Sequence, residues 1–121
     1  MPTLTSVARN AMVNAVAALL NSGKIRFLTS GDVTVAECNF ASTAFEAAAA
    51  GVASANDITD DTDAVGGTVT KVHLLQDDGT EVMEASAGES GSGADFIMSN
   101  EVIGSGDTVR VTSCYLTQPA S

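Results

Sequence analysis

The chain has 121 residues and a formal net charge of −10, from fifteen acidic and five basic side chains. That length fits one domain with one sheet-based core, and that charge opposes attachment to nucleic-acid phosphates or to anionic membrane surfaces. The hydrophobic fraction is 45% but aromatics are only 4%, so alanine and valine must fill a core in which each position buries little apolar area, and association would add burial.

In chain order, Thr5 or Ser6 can cap a helix whose apolar residues Ala8, Met12, Ala15, Val16 and Leu19 recur at helical spacing, with Gly23 as its stop. The helix carries little charge, so even its polar side is expected to be covered, by the sheet or by a neighbouring subunit. Met1-Pro2-Thr3-Leu4 lacks the basic segment of a secretory leader, and the apolar stretch at 11–20 contains Asn14 and is too short to span a bilayer. Synthesis and retention in the cytoplasm are the expectation.

Residues 24–28 read as a strand, Ser30-Gly31-Asp32 as a turn and 33–40 as the returning strand of a first hairpin. Residues 41–50 have some helical propensity but run into the small-residue stretch Gly51-Val52-Ala53-Ser54-Ala55, so an irregular or extended path is expected. An acidic loop at 56–63 precedes Gly66-Gly67 and the strongest strand, 68–75. Asp77-Asp78-Gly79 then turns the chain into 80–85, giving a second hairpin in which Val82 and Met83 face opposite ways, as in a sheet covered on both faces. Residues 88–93 are expected as an exposed loop, and 108–116 as a final docked strand with Val109 and Val111 alternating with Arg110 and Thr112. The predicted architecture is mainly β within the α+β class: a single domain over 1–121, with an N-terminal helix at 1–23 followed by a small antiparallel β-sandwich or barrel-like sheet at 24–121.

Little in this pattern is catalytic. His73 lies within a strand between Val72 and Leu74 with no nucleophile motif nearby, so a solvent-facing or interfacial side chain is expected rather than a base. Cys38 and Cys114 are far apart with no CxxC and no histidine at metal spacing, which favours buried reduced thiols. Asp57, Asp60, Asp61 and Asp63 offer hard oxygen ligands but lack the glycine and distal glutamate of a calcium loop, so they read first as turn formers. Gly88-Glu89-Ser90-Gly91-Ser92-Gly93 has no lysine and sets a carboxylate where a phosphate would sit. No cofactor is expected.

Taken in order, Ala8-Arg9-Asn10-Ala11, then Phe45 through Gly51-Val52-Ala53-Ser54-Ala55-Asn56 with Ile58-Thr59-Asp60-Asp61-Thr62, then Gln76-Asp77-Asp78-Gly79-Thr80, and finally 109–116 resemble a family of small virion proteins of tailed bacteriophages and prophages. The match covers nearly the whole chain and rests on the order of the pieces; the first hairpin is shorter and the 89–93 loop longer than the family pattern. The resemblance implies a non-enzymatic structural component of the particle. An acidic chain suits the outer capsid surface better than a face toward packaged genome, so the expectation is a decoration or cement protein that binds the major capsid protein and itself, as a trimer. A tail or neck component (head-tail connector, tail tube or fibre) is the first alternative, and a soluble calcium- or ligand-binding β module the second. The expected contact residues are Met12, Val16 and Leu19 on the helix, Ala49, Gly51, Val52 and Ala53 in the small-residue stretch, and Asp60, Asp61 and Asp63 facing a basic capsid surface.

Overall fold

A computed structural model describes residues 3–118. Helix α1 spans Ser6–Leu19, and Thr5 caps it by accepting a hydrogen bond from the Ala8 N–H through its hydroxyl. Among the described residues nine strands follow: β1 (Lys24–Leu28), β2 (Thr34–Asn39), β3 (Val52–Ser54), β4 (Gly67–Thr68), β5 (Lys71–Leu75), β6 (Glu81–Glu89), β7 (Phe96–Met98), β8 (Val102–Ile103) and β9 (Tyr115–Thr117). Five of them form a sheet in the order β2-β1-β5-β6-β7, and two small pairs, β3-β9 and β4-β8, sit apart from it. The result is one helix and a curled, mostly antiparallel sheet shaped as a half-barrel, within the mainly β, α+β class that the sequence predicts.

Both predicted hairpins are present, β1-β2 and β5-β6, each with a bulge that shifts its register. Alternation sends Ile25, Phe27, Val72 and Leu74 into the core and Arg26, Lys71 and His73 to the other face. Leu28 and Leu75, of outward parity, are also buried, so the polar face is covered at both ends. Met83 stays partly exposed opposite Leu74, so the inner face is open along β6. Between α1 and β1 the chain passes so close to its neighbours that a Cβ on Gly23 would lie 2.1 Å from the Leu75 carbonyl oxygen.

Four expectations are corrected. The stripe Ala8, Met12, Ala15, Val16, Leu19 is not the core side of α1: Val13, Ala17 and the following Leu20 are buried, whereas Met12 and Leu19 are exposed. The predicted strand at 68–75 divides at Val69 and Thr70, whose N–H groups donate to Glu101 and Leu28 carbonyls on different neighbours. Gly88 is buried inside β6 rather than in a loop, and β7 pairs with β6 in parallel because 90–95 folds back to the level of Ser86. The predicted strand at 108–116 reduces to a bridge at Val109 and the short β9, since among the described residues no strand lies alongside those between them. The expected docking of the end holds through Gln118, whose N–H donates to the Gly51 carbonyl; 119–121 lie outside the described residues.

Candidate functional site

Residues 41–50 form no helix, as expected, and they are held from α1 and the turn after it. Asn10, Asn14 and Asn21 accept hydrogen bonds through their side-chain oxygens from the N–H groups of Gly51, Ala48 and Ala44, at 2.8, 2.9 and 2.9 Å. Arg9 donates from Nη1 to the Ala50 carbonyl, 3.2 Å away. Side chains of the helix and of the turn after it thus satisfy backbone donors of the segment that would otherwise be left unpaired. Asn10 and Asn14 turn toward 48–51 and Val13, Ala17 and Leu20 are buried, which leaves Val7, Ala11, Met12, Ala15, Ala18 and Leu19 facing out.

That outer face carries no charge in a chain whose net charge is −10. Val7 is 79% exposed, Met12 46% and Leu19 48%. Met12 and Val16 also line an open groove of about 650 Å³ whose other walls include Met83, Phe96, Tyr115 and Leu116. An apolar helix face that runs into an apolar groove is a surface suited to another protein.

The small-residue stretch behaves differently. Gly51 is buried at φ 78°, where a Cβ would meet the Gln118 carbonyl oxygen at 2.8 Å, and Ala53 is fully buried opposite Leu116 in the β3-β9 pair. Close backbone approach does occur here, as small residues permit, but within the chain. Ala49 is exposed and Val52 half-buried, so of the four they alone remain accessible.

The acidic loop is also committed internally. Asp61 accepts from the Glu37 N–H (2.8 Å) and the Asp63 N–H (2.9 Å), while its own backbone pairs in both directions with Val109. Asp60 accepts from Arg110 Nε at 3.1 Å. Asp57 and Asp63 are exposed. Among the described residues no three histidine, cysteine, aspartate or glutamate side chains gather where a metal ion could sit.

On the sheet's polar face, Glu37, Arg26, His73 and Glu84 stand opposite one another in a row across β2, β1, β5 and β6. Arg26 Nε is 2.7 Å from Glu37 Oε2, and His73 places Nδ1 3.3 Å from Glu81 and Nε2 3.4 Å from Glu84. Lys71 pairs with Asp32, holding that carboxyl below its usual range while the carboxylate raises the lysine. His73 is therefore a half-buried ring placed between two glutamates. Cys38 and Cys114 are buried free thiols, each pushed up to about 11 by burial.

Sequence reasoning did not single out the asparagine stripe. Its trace was there, since Asn10 and Asn14 are one helical turn apart on the polar side of the predicted helix. No helix among the described residues is long and apolar enough to cross a membrane. No family model, no curated protein and no solved structure matches this chain.

Proposed function

We propose that this chain is a non-enzymatic structural protein of a tailed-phage particle, a decoration or cement protein on the outer capsid surface that contacts the major capsid protein and further copies of itself, as a trimer. The phage assignment rests on the ordered resemblance of residues 8–11, 45–62, 76–80 and 109–116. The observation that favours an associating protein is the uncharged outer face of α1 running through Met12 into the apolar groove. Such a protein acts by summing many modest interfaces over a shell, and no turnover is needed. Its acidic surface suits a basic capsid patch and opposes contact with DNA.

The test is the copy number of this chain in purified particles, by quantitative mass spectrometry against the most abundant virion protein. A ratio near parity is the expected result. A few to a few dozen copies would move the protein to the neck or tail, and its absence from particles would remove the virion reading.

A further inference from the structure

Arg110, Val111, Thr112 and Ser113 run between the Val109 bridge and β9 with no hydrogen bond to their backbone N–H or C=O groups from any described residue. Open space borders this segment on both sides. One groove, of about 620 Å³, separates it from β7 and has Phe27, Ile103 and Val109 in its lining; the other, of about 400 Å³, separates it from 55–60. Across the larger groove β7 is the last strand of its sheet, and its outer edge has no partner among the described residues. Two unpaired backbone edges therefore face each other over a partly apolar floor, in a sheet that curls without closing.

We propose that the larger groove is a strand-acceptor slot, which takes an extended segment of another polypeptide between β7 and residues 110–113 and continues the curl of the sheet. A bound strand would supply the backbone partners that both walls lack, and its alternate side chains would rest on Phe27, Ile103 and Val111. Charge selects the partner. Asp95 lines the slot, Glu101 and Asp107 lie next to lining residues, and the one cation in the wall, Arg110, is already paired with Asp60. The fitting segment alternates apolar and polar residues and carries lysine or arginine at its ends.

A second copy has no such segment among its described residues: its other cations are Arg9 in α1, Lys24 and Arg26 in β1 and Lys71 in β5, all in formed elements. The inference goes beyond the virion reading and stands or falls without a particle. It is tested on the purified full chain by amide hydrogen exchange, with a short synthetic peptide in which valine and threonine alternate between terminal lysines. Exchange at 97–99 and 110–113 should slow by about tenfold or more at saturating peptide. The same peptide N-methylated at alternate amides should give no protection, and a glutamate-flanked version should bind about tenfold more weakly at low salt. Unchanged exchange at both walls with millimolar peptide, protection only elsewhere, or protection already present in the free protein through self-association would each overturn the proposal.

Discussion

Glycines 23 and 79 separate two meanings of the same residue. Gly23 is outside the left-handed region but has no room, with the Leu75 carbonyl oxygen 2.1 Å from where a Cβ would be; Gly79 has φ 89° and nothing within 4 Å. Gly23→Ala must displace backbone at the start of β1, so a loss on the order of 3 kcal/mol is expected in urea denaturation. Gly79→Ala should cost only the left-handed strain, about 1 kcal/mol. The two cysteines give a chemical readout of burial: with thiols pushed up to about 11, neither Cys38 nor Cys114 should be alkylated by iodoacetamide at pH 8 until the chain unfolds. The pair Asp32 and Lys71 sets a pH window. Asp32 is lowered, so its contribution is present above its unfolded value of 3.8 and is lost as pH falls through the lower folded value. Lys71 is raised, so its contribution is present below 10.5 and is lost as pH climbs through the higher folded value. A thermal-melt double-mutant cycle with Asp32→Asn and Lys71→Met should therefore show coupling near neutral pH that fades in strong acid and strong base.

For the elements, legibility followed whether local pattern or a distant partner decided the outcome. The hairpins β1-β2 and β5-β6 were readable because alternation and turn residues are local, and Thr5 because a cap is local. The buried side of α1 was not readable, since six apolar residues face outward and apolar spacing alone cannot choose between two apolar sides. The choice is made by Asn10, Asn14 and Asn21, whose partners lie 23 to 41 residues away. For the same reason the predicted strand at 108–116 failed: its alternation is real, but a strand needs a neighbour, and only Val109 and β9 have one. Of the expected contact residues, Met12, Val16 and Leu19 come to the surface or its groove, whereas Gly51 and Ala53 are consumed by folding. If the asparagines act as a clamp, Asn10→Ala and Asn14→Ala should each cost about 1 kcal/mol. Amide exchange should quicken across 44–51 while the amides of β1 and β5 keep their protection.

The whole molecule joins a strongly acidic surface to one uncharged helical face, and these act in opposite directions on self-association. Repulsion between copies that each carry −10 is long-ranged and screened by salt, while burial of Val7, Met12 and Leu19 is short-ranged and hardly screened. Association through α1 should therefore strengthen as ionic strength rises, the reverse of an assembly held by charge pairs. Sedimentation equilibrium of the purified chain at about 50 mM and about 500 mM salt reads this directly, the higher value cutting the screening length to a few ångströms. Met12→Glu combined with Leu19→Glu should leave the chain monomeric at both salts, because two carboxylates would have to be buried unpaired on closure. Both side chains already face solvent, so the melting temperature of the monomer should change little. A wild-type chain that stays monomeric at high salt, or a double variant that still associates, would place the apolar face of α1 outside any self-contact and leave the major capsid protein as its proposed cover.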